Sequence, residues 1–207
     1  MLNSTSAQTV HSLVLVDGPN IDCVLGQSVL GRQPEQKERP RWDRILRTCT
    51  AWFGEGRGIF VLNPRRFAEQ PNQVAPFYRF LVTTGWHVPS VASFGTCTDG
   101  TDPVDEFIKD MIHDSLPDIH SGYLSSVVVF SHDHGYAPVL REVLKAGGSV
   151  TVVGFREWLH PHLTELEAMS ADLLDLEYDV EAFDMRLPRP YRPTWRTGET
   201  FGMSDRN

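Results

Sequence analysis

Hydrophobic positions in this chain fall into short blocks separated by longer amphipathic stretches. Continuous apolar runs occur at 13–16 (LVLV), 59–62 (IFVL), 86–92 (WHVPSVA), 127–130 (VVVF) and 150–153 (VTVV). Blocks this short and rich in β-branched residues fit strands buried on both faces. Between them the apolar period becomes helical. Trp42, Ile45, Leu46, Cys49 and Phe53 predict a helix over 41–53, and Val74, Phe77, Tyr78, Leu81 and Val82 predict one over 71–84. Val104, Phe107, Ile108, Met111 and Ile112 predict a third over 103–115. Tyr136, Val139, Leu140 and Val143 predict a fourth over 136–146, stopped by Gly147-Gly148. Strands alternating with helices predict an α/β domain of three layers. Its mostly parallel central sheet has about five strands, with helices on both faces and 127–130 at the buried centre.

Two stretches break the pattern. Residues 31–40 (GRQPEQKERP) are polar and read as a loop. Residues 186–207 are rich in Pro and Arg without periodicity, and read as a tail outside the core. The chain thus divides into an N-terminal tail (1–11), one domain (12–182) and a C-terminal tail (183–207).

Composition narrows the classes. A net charge of −8 over 207 residues argues against a protein that coats nucleic acid with its whole surface. The charge is uneven, however. Residues 32–66 hold nine Lys/Arg against four Asp/Glu, a local +5, and residues 99–118 hold one Lys against seven Asp/Glu, a local −6. Such blocks are often only solvated faces, but together they also suit a polyanion held near bound cations. Cys23, Cys49 and Cys97 form neither a disulfide framework nor a zinc motif and fit a reducing cytoplasm. No signal peptide and no membrane span is read from the sequence.

The chemistry-bearing residues gather at strand ends. Asp17 follows LVLV directly and opens Asp17-Gly18-Pro19-Asn20. Asp133 lies just past VVVFS, in Ser131-His132-Asp133-His134-Gly135-Tyr136. Asp102 and Asp105 open the helix at 103–115. Ligands of open parallel sheets bind beyond the carboxyl ends of the strands. Carboxylates brought together there repel, so at least one pKa should rise in the absence of a cation. A hard divalent ion accepts such oxygen ligands, and it can generate hydroxide for an in-line phosphoryl displacement. The plainer readings are a turn for Asp17, a helix cap for Asp102, and a surface loop pair for His132 and His134. The chain carries no dinucleotide-binding or P-loop glycine motif.

LVLVDGPNI resembles the opening motif of NYN domains, a branch of the PIN-like metal-dependent nucleases, in which an Asp-x-x-Asn signature ends the first strand. Asp17 and Asn20 match it. Val104-Asp105 is similar to the family's Val-Asp pair at a helix start. Ser131 to Val139 resembles its Ser-Gly-Asp-x-Asp-Phe-x-Pro-Leu element at Ser131, Asp133, Tyr136 and Pro138, with His132 in place of the glycine and Gly135 in place of the second aspartate. Residues 163–176, with Ala171-Asp172-Leu173-Leu174, look like the closing helix and apolar stretch. The resemblance spans roughly 12–178. It implies a ribonuclease in which Asp17, Asp105 and Asp133 hold Mg2+ or Mn2+, Asn20 orients a phosphate or a metal-bound water, and Asp102, Ser131, His132 and His134 are secondary candidates.

Arg41, Arg44 and Arg47 recur every three residues near Trp42 and Trp52, and Arg65-Arg66 follow the second apolar run. Cations among aromatics suit an RNA strand; solubilising arginines around a core tryptophan are the alternative. The expectation is a metal-dependent endoribonuclease acting on RNA. The competing reading is a catalytically degenerate module that binds RNA or a protein partner, its acidic site eroded at Gly135. The sequence leaves open whether the chain forms a homodimer.

Overall fold

Leu13 and Leu15 turn to one side of their strand, Val14 and Val16 to the other, and all four are buried. A strand of this kind needs cover on both faces. The computed structural model, which describes residues 11–90, 93–94 and 102–191, supplies it. Five strands form one wholly parallel sheet: β1 (His11–Asp17), β2 (Gly56–Val61), β3 (Leu124–Phe130), β4 (Ser149–Gly154) and β5 (Asp172–Asp175), in the order β2-β1-β3-β4-β5.

Among the described residues eight helices accompany them: α1 (Gly18–Cys23), which continues into a π-helical turn at Val24–Leu30, α2 (Trp42–Phe53), α3 (Pro64–Glu69), α4 (Pro71–Thr83), α5 (Pro103–Asp114), α6 (Leu116–His120), α7 (Ala137–Lys145) and the short α8 (Pro161–Thr164). Ile108 and Ile112 of α5 and Leu140 and Val143 of α7 pack on Leu13, Leu15, Val127 and Val129. Ile21 of α1, Ile45 of α2 and Leu81 of α4 pack on Val14, Val16, Val128 and Phe130. The fold is therefore the three-layer α/β arrangement expected, with residues 127–130 fully buried at its centre. No helix among the described residues is long and apolar enough to cross a membrane.

Three expectations need correction. Residues 86–92 form no strand where they are described. His87 alone pairs beside Ile59, exchanging backbone hydrogen bonds with Gly58 and Phe60. Pro89 has no N–H with which to extend that ladder, and residues 91–92 lie outside the described set. The fifth strand is instead β5, within the stretch read as a closing helix and apolar segment; only the short helical turns Pro161–Thr164 and Glu165–Met169 precede it. Its four residues, DLLD, offer too brief a signal for a strand. The third correction concerns the tail. Phe183 and Leu187 join the second core cluster with Leu176, Val180 and Ala182. Arg189 is buried against Glu157 and Glu177, and Trp158 donates to the Tyr191 hydroxyl at 2.7 Å. The domain thus includes at least residues 183–191; residues 1–10 and 192–207 lie outside the described set.

Candidate active site

After β1 the chain goes to β2 on one side, then passes back to β3 on the other. The carboxyl ends of β1 and β3 are therefore the switch point of the sheet, the edge where open parallel sheets form their ligand crevice. Asp17 is the last residue of β1 and caps α1, accepting the Asn20 N–H on Oδ1 at 3.1 Å. Gly18 permits this tight exit, because a Cβ there would lie 2.5 Å from the Phe60 ring and 2.8 Å from the Val61 carbonyl. Asp105 is the third residue of α5, behind the cap Asp102, whose Oδ1 accepts the Val104 N–H at 2.9 Å. Asp102 thus has the capping role that its position before Pro103 implied.

Tyr136 joins these two carboxylates. Its hydroxyl lies 3.0 Å from Asp17 Oδ2 and 2.9 Å from Asp105 Oδ1, and its ring is completely buried. A phenol carries one proton, so it donates to only one of the two; the other contact needs a proton from a carboxyl. Burial pushes the Asp17 pKa up to about 7, with the Asp105 charge a smaller contributor. Asp105 is raised as well, first by burial and then by the charges of Asp133 and Asp102. The rise expected from like-charge repulsion is present, but desolvation is its larger cause. Burial and the two acids hold the Tyr136 phenol protonated.

Ser131, fully buried, donates to Asp17 Oδ2 at 3.1 Å and accepts the Asp133 N–H at 3.2 Å, so it ties the two strand ends together. Asp133 Oδ1 accepts the Gly135 N–H at 2.7 Å, and its side chain is partly exposed. Asn20 Oδ1 accepts from both the backbone N–H and Nδ1 of His132, each at 2.9 Å, which leaves its NH2 group as a donor at the crevice.

His132 does not fill the ligand role considered for it. Its Nδ1–H points to Asn20 and its Nε2 accepts the Phe155 N–H at 2.7 Å, so both nitrogens are used within the fold. Burial pushes its pKa down to about 3, which keeps it neutral. It is a positioning residue for Asn20. His134, in contrast, is exposed, with Nδ1 3.4 Å from Asp133 Oδ1.

As placed, no group of three or more His, Cys, Asp or Glu among the described residues stands ready to hold a metal ion. The hydrogen bonds say why. Asp17 spends Oδ1 on a backbone N–H and Oδ2 on two hydroxyls, and Tyr136 stands between it and Asp105. Asp105, Asp133 and Asp102 each keep one carboxylate oxygen without a hydrogen-bond partner among the described residues. Oxygen donors of this kind suit a hard divalent cation, although as placed the three acids are not gathered into one ligand group. Asp17 anchors Tyr136.

The arginine block divides. Arg41 reaches Asp43 at 3.1 Å and Asp184 at 2.7 Å; Arg44 reaches Asp184 at 2.6 Å and the Glu181 carbonyl at 3.2 Å. Arg47, largely exposed, lies 3.4 Å from Asp43. These charges are matched inside the fold and fasten residues 181–184 to α2. Arg65 and Arg66, exposed just beyond the end of β2, have no acidic partner among the described residues. Trp42 belongs to the core, and Trp52 is exposed. The Tyr136 hydroxyl is the site group that sequence reasoning missed. Tyr136 was read only as an aromatic match, although a buried phenol oxygen must find a polar partner. Comparisons with protein-family models, with curated proteins and with solved structures find no match for this chain.

Proposed function

We propose that this chain is a divalent-cation-dependent endoribonuclease of the NYN kind, working in the crevice at the ends of β1 and β3. One observation carries the reading. Asp17 and Asp105, far apart in sequence, converge on a single tyrosine hydroxyl at the switch point with Asp133 beside them; among the described residues no lysine or arginine forms a hydrogen bond or ion pair with any of the three, and the Lys109 charge only partly offsets them at Asp105. Three acids with one lysine nearby that bonds to none of them fit a site that takes further positive charge from outside. Asp105 and Asp133, with Asp102 near, would hold Mg2+ or Mn2+, which supplies Lewis acidity and an activated water when bound. Asp17 and Tyr136 fix the orientation of Asp105. The Asn20 NH2 group donates to a phosphate oxygen. Arg65 and Arg66 draw the RNA backbone toward the same edge of the sheet. Free thiols at Cys23 and Cys49 suit work in the cytoplasm.

A second reading, RNA binding without cleavage, is favoured by Gly135 at the position of the family's remaining acid and by the bonded state of Asp17. The test is cleavage of a fluorescent single-stranded RNA in Mg2+ or Mn2+, with Asp105→Asn and Asp17→Asn beside wild type. Metal-dependent cleavage lost in both variants supports the enzyme. Tight binding with no cleavage in either metal supports the binding module.

A further inference from the structure

Three histidines from two loops meet beside the crevice. His134 follows Asp133 in the loop after β3. His160 and His162 flank Pro161 at the start of α8, in the loop after β4. The His134 and His160 ring centres are 4.5 Å apart, His160 and His162 are 4.8 Å apart, and His134 and His162 are 5.9 Å apart. With metal–nitrogen bonds of about 2.1 Å, imidazole centres lie roughly 3.2 Å from a shared ion, hence about 4.5–5.2 Å from each other at bond angles of 90–109°. The cluster is already close to that spacing.

We infer that His134, His160 and His162 form a binding site for a divalent transition-metal ion of the Zn2+ or Co2+ class. Imidazole selects such ions over Mg2+. Asp133 Oδ1 sits 3.4 Å from His134 Nδ1, so that a small side-chain rotation forms the carboxylate–imidazole hydrogen bond that orients metal-ligating histidines. The donor atoms do not yet aim at one centre. His134 and His162 are exposed, so rotamer changes bring them round without disturbing the core. His160 Nδ1 accepts the His162 N–H at 3.2 Å and caps α8, and binding through Nε2 exchanges that one hydrogen bond for a metal bond. Ring packing alone does not require three imidazoles from two loops to face one another, whereas a shared ion does.

The site borders the hydrolytic one through Asp133 but does not rest on that reading, and its test reads metal alone. Co2+ is titrated into the full chain after chelator treatment, followed by its visible absorption and, with Zn2+, by calorimetry. Wild type should bind one ion at this site. His162→Ala, which leaves every hydrogen bond in place, should weaken it at least about 10-fold, and His134→Ala should do the same. His160→Asn retains a capping oxygen and should weaken it equally, with an unchanged melting temperature. Asp105→Asn should leave this binding intact, whatever it does to RNA cleavage. The inference is overturned if wild type takes up neither ion, or if Asp105→Asn removes the Co2+ signal while the histidine variants keep it. If the histidine-dependent signal persists in a protein that cleaves no RNA, the hydrolysis proposal falls and this site stands.

Discussion

Two strands of the one sheet end on a buried aspartate, and the two are satisfied in opposite ways. Asp175, at the end of β5, accepts three backbone N–H groups, from Glu177 and Tyr178 on Oδ1 and from Arg156 on Oδ2. Asp17, at the end of β1, accepts one backbone N–H and two hydroxyls, one of which it shares with another acid. Burial raises both pKa values. Asp175 is a structural acid, whose backbone donors lock a turn. Asp17 faces movable donors and a second negative group, an arrangement that adds little to the fold and orders a crevice.

The sharpest way to break this contrast is by stability. Asp175→Ala orphans three N–H groups and should cost about 2–4 kcal/mol. Asp17→Asn removes a poorly solvated charge and should instead gain about 1–3 kcal/mol at pH 8 in chelator. Urea melts of both variants check this, and equal losses would erase the distinction.

The pH dependence tests the crevice next. The folded pKa of Asp17, about 7, lies above its ordinary 3.8, so its stabilising contribution is complete below 3.8 and is lost as pH rises toward 7. That of His132, about 3, lies below 6.5, so its contribution is complete above 6.5 and is lost as pH falls toward 3. Between pH 4 and 6.5 these two slopes oppose and largely cancel, leaving in wild type the fall with rising pH that the raised carboxyls of Asp105 and Asp175 contribute. Relative to wild type, Asp17→Asn should then gain stability with rising pH by up to about 1.4 kcal/mol per unit, and His132→Gln should lose it at the same rate. Melts in chelator across that range decide; parallel profiles would refute both assignments.

Smaller effects sharpen the picture. A Cβ at Gly135 would lie 3.2 Å from Asp133 Oδ1 and 3.7 Å from Lys109 Nζ, tight but with an ammonium in reach. Gly135→Asp should raise RNA cleavage several-fold, about 1 kcal/mol in barrier, at some cost in melting temperature; single-turnover rates measure it. Arg41→Ala/Arg44→Ala should loosen the 181–184 segment only slightly, since these pairs are exposed, and should speed proteolysis there. Arg65→Ala/Arg66→Ala should instead flatten the log–log salt dependence of RNA binding by roughly 1.4, at about 0.7 per phosphate contact.

The sheet was legible because LVLV, VVVF and VTVV bury both faces, and such strands admit few alternatives. The helices over 42–53, 71–83, 103–114 and 137–145 followed from apolar period and caps. β5 was hidden because DLLD draws its burial from tertiary neighbours, and residues 183–191 because Phe183 and Leu187 are isolated apolar positions among prolines and arginines. At the site, Asp17, Asp105 and Asp133 were visible as acids at strand and helix ends, and the structure brings them to one edge. What sequence could not carry was orientation. Nothing local reveals that both His132 nitrogens face inward, that Arg41 and Arg44 are claimed by Asp184 some 140 residues away, or that a phenol bridges two carboxylates.

The most direct measurement is the single-turnover rate of RNA cleavage by wild type and Asp105→Asn, at saturating protein, in Mg2+, in Mn2+ and in chelator. Asp105→Asn keeps an acceptor for Tyr136 and should fold normally. Cleavage by wild type is expected only with metal, at a rate at least about 100-fold above that of Asp105→Asn. Undiminished cleavage by Asp105→Asn, or no cleavage by wild type in either Mg2+ or Mn2+, would contradict it.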